Sequence, residues 1–328
     1  MDMPVVDDRS STRKHESNRR LNAFGQGFGD DIVATGLLSA HRFRTLTVDH
    51  FAASIGKTYD YANRDLKNRL IRHKLFSQVR ILRHEKGAGR PPVLLSVASR
   101  GYDHLCDAIR DRWRIEHPEK LIGDFSPPPS CIDWKGGRAH RLGLVHLMIA
   151  IERSARQHGG AGLVHVIPEY LEWNGLKKPT LIHLSCNTSF QADAVLIADD
   201  GQASWPVMVE LDLGTETISS QDPGRVADTI EGKGKLYWQY LASKRFKERF
   251  GTTDGAFQVL FVTTSQRRVD NMREVIGDSG LLPIDGLDPS DVFYFATNEA
   301  ASADFFGWHW QDLNGRRVNL AGLYGATP

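Results

Sequence analysis

Three carboxylates and a lysine, Asp193, Glu210, Asp212 and Lys233, stand out in this chain of 328 residues as a set suited to cation binding and charge stabilisation. Residues 207–218 read VMVELDLGTETI, with apolar side chains at 207, 209, 211 and 213. In an extended chain Glu210 and Asp212 then share the other face. The preceding run, SFQADAVLIADDG, carries Asp193 one β-turn-β interval upstream, where it can meet the pair at a sheet edge. Carboxylates brought together out of water repel unless a cation joins them. Mg2+ or Mn2+ takes such oxygen ligands and keeps waters that can attack a phosphodiester. The pattern points to Asp193, Glu210 and Asp212 as metal ligands of a phosphodiester-hydrolysing site.

Lys233 adds an independent signal. In PGRVADTIEGKGKLYWQYLASKR, helical spacing puts Val226, Ile230, Lys233, Tyr237 and Leu241 on one stripe. A lysine on a stripe that packs against a sheet needs a partner, and the carboxylates supply one; its ammonium could orient the attacking water or stabilise charge on a phosphate. Lys235 lies on another face, four residues after Glu231, and an i,i+4 ion pair explains it. His140 and His146, six residues apart, do not share a helix face well and read as ordinary helix histidines.

The elements that must position these residues fill 139–328. A long amphipathic helix, HRLGLVHLMIAIERSARQ, opens the segment. Strands are expected near 163–168, 181–186, 190–198, 206–213, 257–263 and 291–296, with helices at 224–243 and 267–277. This alternation predicts an α/β fold with a mixed central sheet.

The amino-terminal part has a different character. Residues 1–115 hold 21 Lys and Arg against 13 Asp and Glu, which leaves 20 against 27 for the remainder. Residues 1–29 read as a flexible arm. Residues 30–115 begin with three helical patterns: DIVATGLLSAHRFR, then LTVDHFAASIG with Thr47 as N-cap, then YDYANRDLKNRLIRHKL with an apolar stripe of Tyr61, Leu66, Leu70 and Ile71. Two β-rich runs around a Gly/Lys/Arg/Pro tip follow, and the whole predicts a winged helix-turn-helix. Arg64, Lys67, Arg69, Arg72 and Lys74 on the third helix, and Arg80, Arg83, Lys86 and Arg90 on the wing, form the expected phosphate-facing surface for double-stranded DNA. Residues 116–138, rich in Pro, Gly and charge, read as a linker to a second domain at 139–328.

No apolar run is long enough to span a bilayer, and the start MDMPVVDDRSSTRKHESNRR has no apolar signal core, so a cytosolic, DNA-associated protein is expected. Cys106, Cys131 and Cys186 lack the spacing of a disulfide framework or zinc site. Nothing in the composition decides whether the chain forms a homodimer.

With a winged helix ahead of them, the stretches ADAVLI, VMVELDLGTET, KGKLYWQY and FQVLFVTTSQRR resemble the replication-relaxation family of plasmids and other mobile elements, over roughly residues 30–310. The second domain of that family is similar to the PD-(D/E)xK nuclease superfamily. In the resemblance Asp193 matches the motif aspartate. Glu210, Asp212, Gly214, Thr215 and Glu216 match the strand and its exit, and Lys233 and Tyr237 match the helix. Ala192 stands where the motif has proline, and Asp212 where a typical nuclease of the superfamily has lysine, so the lysine role passes to Lys233. The resemblance implies a restriction-endonuclease-like fold and a Mg2+- or Mn2+-dependent DNA endonuclease, or a nuclease-like factor, in DNA processing or replication control. The alternative it allows is a non-catalytic DNA-binding regulator whose second domain serves dimerisation or partner binding.

Overall fold

The computed structural model describes residues 32–80, 93–116, 138–158, 163–168, 178–186, 188–199, 204–220, 222, 228–251 and 255–323. The chain divides into two compact units, one of Met1–Gly136 and Glu172–Lys177, the other of Gly137–Leu171 and Lys178–Pro328.

In the first unit α1 (Ile32–Phe43), β1 (Leu46–Thr47) and α2 (Val48–Ser54) lead to a π-helical stretch, Tyr61–Lys67, that runs into α3 (Asn68–Arg72). Strands β2 (Phe76–Arg80) and β3 (Val93–Val97) pair antiparallel, β1 joins the other edge of β3, and α4 (Ser99–Glu116) follows. Thr47 caps α2 as its sequence predicts: its hydroxyl accepts from the His50 amide at 3.1 Å, while His50 Nδ1 accepts from the Thr47 amide at 3.4 Å. Leu66 and Leu70 are buried, whereas Tyr61 stays exposed and Ile71 half-buried, so the expected stripe is narrower at its ends. Arg64, Arg69 and Arg72 lie on the exposed side of this helical run, whereas Lys74, expected on the helix, is exposed in the turn beyond its end, at φ 59°. Arg83, Lys86 and Arg90 fall outside the described residues.

The second unit is α/β. Helix α5 (Arg138–Gln157) precedes β4 (Leu163–Pro168), the small hairpin β5 (Leu181–His183) and β6 (Ser189–Gln191), and then β7 (Ala194–Asp199) and β8 (Ser204–Asp212). After them come α6 (Ile230–Ser243), α7 (Arg245–Phe250), β9 (Gln258–Thr263), α8 (Gln266–Gly277), β10 (Phe293–Thr297), α9 (Asn298–Ala303), β11 (Trp310–Gln311), β12 (Arg317–Val318) and α10 (Leu320–Leu323). The seven-stranded sheet has the order β12-β11-β10-β9-β8-β7-β4. Strands β8, β9 and β10 are parallel, and the other pairings antiparallel, so the sheet is mixed. Helices α5 and α9 pack together on one face, α6 and α8 on the other.

Strand β8 is central and covered on both sides. Val207, Val209 and Leu211 face α5, whose Gly143 lies so close that an added Cβ would meet the Leu211 side chain at 3.2 Å. Met208, Glu210 and Asp212 alternate to the α6–α8 face, where Lys233, Tyr237 and Arg268 meet the two carboxylates. The expected single strand at 190–198 is instead two. The Ala192 amide donates to Thr180 O and the Asp193 amide to Val209 O, so successive residues belong to different sheets and the chain steps from β6 to β7 at Asp193. Helix α6 begins at Ile230, after an N-cap by Thr229, whose hydroxyl accepts from the Gly232 amide. That is later than the expected 224, and residues 223–227 lie outside the described part.

Candidate active site

The site forms at the end of β8, where three elements converge. Ala194 pairs with Val209, and the Asp193 amide donates to Val209 O at 3.1 Å, so Asp193 stands across from Glu210 on adjacent strands. From α6, Lys233 Nζ reaches Glu210 Oε2 at 2.7 Å, and Tyr237 OH donates to Glu210 Oε1. Ile230 and Tyr237 share the buried stripe with Lys233, as the helical spacing predicts. Tyr237 is fixed edge-on against Phe190, with ring centroids 4.8 Å apart.

A further carboxylate joins from the exit of β8. Asp212 Oδ1 accepts from the Gly214 amide at 3.0 Å and the Glu216 amide at 3.3 Å. Gly214 holds φ +86°, a conformation that suits glycine, and the turn brings Glu216 back over the sheet end. Glu216 Oε1 then accepts from Lys233 Nζ at 2.9 Å. Lys233 thus bridges two carboxylates. Glu216 Oε2 is enclosed and has no hydrogen-bond partner among the described residues.

Burial is the largest influence on Glu210, whose side chain is only 2 % exposed, and it pushes the carboxyl up to about 7; Lys233 opposes the rise and the nearby Asp193 charge adds to it. Burial pulls the Lys233 ammonium down, but Glu210, Glu216 and Asp193 outweigh it and leave the lysine firmly protonated. Tyr237 is held neutral, well above the usual phenol value, by burial and then by Glu210.

Asp193 Oδ2 accepts from the Leu211 amide at 2.7 Å and lies 3.2 Å from His140 Nε2 on α5. The same nitrogen lies 2.8 Å from Leu211 O. The hydrogen bond to Asp193 dominates and raises His140 to about 9 although burial opposes it. Read from sequence as an ordinary helix histidine, His140 belongs to the site. Only the approach of α5 to the β8 end reveals this, since 53 residues separate it from Asp193.

Asp212 has a separate set of partners. Besides the two loop amides, it accepts through Oδ2 from Thr263 Oγ1 at 2.8 Å and from Arg268 Nε. Burial pushes its carboxyl up, yet Arg268, Thr263 and the Glu216 amide more than offset this and hold it below the usual aspartate value. Asp212 shares a strand face with Glu210 but has separate partners, because α8 covers its end of the strand. Lys235 pairs with Glu231 at 2.6 Å, as the i,i+4 spacing predicts.

The described residues contain no group of three His, Cys, Asp or Glu side chains already arranged to hold a metal ion. An ammonium occupies the space between Glu210 and Glu216 instead. The donor chemistry still fits a hard divalent cation. Asp193, Glu210 and Glu216 all act on one lysine, and an enclosed carboxylate oxygen lacks a partner. Comparison of the chain with models of known families, with curated proteins and with solved structures finds no match.

Proposed function

We propose that the chain binds double-stranded DNA and hydrolyses phosphodiesters at the Asp193–Glu210–Lys233 site with Mg2+ or Mn2+. One observation carries this reading: Asp193 and Glu210 stand on adjacent strands, near enough for the Asp193 charge to act on both Glu210 and the half-buried, protonated lysine that Glu210 binds. In this reading the second unit is a restriction-endonuclease-like domain, and the first is a winged helix whose exposed Arg64, Arg69, Arg72 and Lys74 face phosphate, as in a replication-relaxation protein of a mobile element.

Asp193 and Glu210 would hold the cation, which supplies Lewis-acid activation of a water and of the phosphate. Lys233 places positive charge where the phosphate gains negative charge, and Tyr237 fixes the Glu210 carboxylate through its second oxygen. His140 holds Asp193 from the α5 side. The test is incubation of supercoiled plasmid with the full chain in Mg2+ or Mn2+. Nicked or linear product from the wild type, and none from Glu210→Ala, supports the reading; uncut plasmid in both metals refutes it.

A second reading is favoured by the bridge from Lys233 to Glu210 and Glu216, which neutralises charge without any metal. Here the second unit is a non-catalytic scaffold for dimerisation or partner contact, and the protein regulates transcription or replication through DNA binding alone. Duplex binding that persists without divalent metal, together with uncut plasmid, is its signature.

A further inference from the structure

The strand pattern singles out Glu210 and Asp212 as equivalents, and the loop after them reassigns the roles. We infer that Asp212 and Arg268 form a positioning pair that sets the 213–217 turn, and that Glu216 is the third carboxylate of the site. This rests on the proposed metal-binding reading and deepens it.

The donors around Asp212 set its role. Its two oxygens accept from two loop amides, one hydroxyl and one guanidinium, and its side chain is only 2 % exposed. Arg268 uses Nε for Asp212 and Nη2 for the carbonyl oxygen of Glu216, so one planar side chain clamps both ends of the turn. The Glu216 amide is bound to Asp212 and its carbonyl to Arg268, which fixes the Glu216 backbone on both sides. The chain beyond is anchored too: the Ile230 and Glu231 amides at the start of α6 donate to Thr217 O and Ile218 O at 3.1 and 3.0 Å. The Glu216 side chain is thereby delivered to Lys233, with one oxygen bound and the other enclosed without a partner. Asp212 has no hydrogen bond or ion pair with Asp193, Glu210 or Lys233 among the described residues, whereas Glu216 shares Lys233 with Glu210.

The test is a double-mutant cycle on Mn2+ binding by the full chain, with free Mn2+ followed by electron paramagnetic resonance. Glu216→Gln is expected to weaken Mn2+ binding at least tenfold. Asp212→Asn is expected to weaken it in the wild-type background, because the turn loosens, but to cost no further affinity in the Glu216→Gln background. Equal losses in both backgrounds would make Asp212 a ligand in its own right and overturn the inference, as would wild-type affinity in Glu216→Gln.

Arg268→Lys serves if Asp212→Asn does not fold, since one ammonium cannot clamp both Asp212 and the Glu216 carbonyl. It is expected to follow the same non-additive pattern, and additive losses again overturn the inference. Hydrogen exchange of the peptide covering 213–220 gives a metal-free readout. Faster exchange is expected in Asp212→Asn and Arg268→Lys and unchanged exchange in Glu216→Gln, whereas wild-type exchange in the first two would overturn the positioning role. A wild type that binds no Mn2+ would refute the metal reading alone, and the exchange rates would then decide the positioning role.

Discussion

Glu210 and Asp212 sit two residues apart on the same face of one strand, equally buried, and their surroundings push their acidities in opposite directions. The difference lies in the donors. Asp212 meets a guanidinium, a hydroxyl and two amides, enough to offset desolvation. Glu210 meets a phenol and one ammonium that it shares with Glu216, while Asp193 repels it from the neighbouring strand. A fully satisfied buried carboxylate holds structure together. An under-satisfied one beside a like charge keeps a pull on cations, which is the property a metal site requires.

The largest effect is expected at Asp212. Asp212→Ala leaves Arg268 without its carboxylate and the turn amides without an acceptor. Urea denaturation is expected to show a loss of about 2–4 kcal/mol, toward the lower side for a broken buried pair because Arg268 keeps some solvent access. A loss below about 1 kcal/mol would remove Asp212 from the structural role.

Lys233→Met keeps the apolar stem on the buried stripe and removes the shared ammonium. At pH 8 a cost of about 1–3 kcal/mol is expected, since Glu210 Oε2 loses its donor. The cost should shrink at pH 5, where Glu210 takes up a proton. Cleavage is expected to vanish in this variant while Mn2+ still binds, and retained cleavage would contradict the role given to Lys233.

The pairing of Glu210 with Lys233 was legible in the sequence. Alternation put both carboxylates on one strand face, and helical spacing put Lys233 on the stripe that meets them. Neither signal could separate Glu210 from Asp212, because the separation comes from Arg268, 56 residues away on α8, and from a turn whose course depends on Gly214. His140 was hidden for the same reason: a histidine on an amphipathic helix gains significance only from the strand end it meets. The step from β6 to β7 at Asp193 escaped notice because periodicity records apolar spacing and not which sheet each amide joins.

A smaller effect sharpens the Glu210 side. Its carboxyl lies near 7 in the folded chain, above the ordinary 4.5, so the folded state binds the extra proton and stability falls as pH rises from about 4.5 through 7. Glu210→Gln has no such ionisation. Its stability relative to wild type is expected to increase between pH 5 and pH 8, reaching parity or slightly above, as thermal melts at both values would show. A Gln variant sharply less stable at pH 8 would mean that the ionised carboxylate is a structural partner of Lys233.

His140 contributes in a different window. Raised from 6.5 to about 9, it stabilises the fold below 6.5 and loses this contribution as pH climbs through 9. His140→Gln is expected to flatten the stability curve over that range, and an unchanged pH profile would place the imidazole outside the Asp193 interaction.

The asymmetry between the two carboxylates is tested most directly by thermal melting in millimolar Mn2+, comparing wild type with Glu210→Gln. An ion that binds only the folded chain raises the melting temperature in proportion to ln(1 + [L]/Kd). The expected result is a rise with Mn2+ concentration in the wild type and a flat response in Glu210→Gln. An unaltered wild-type melting curve, or an equal rise in both proteins, would contradict the account.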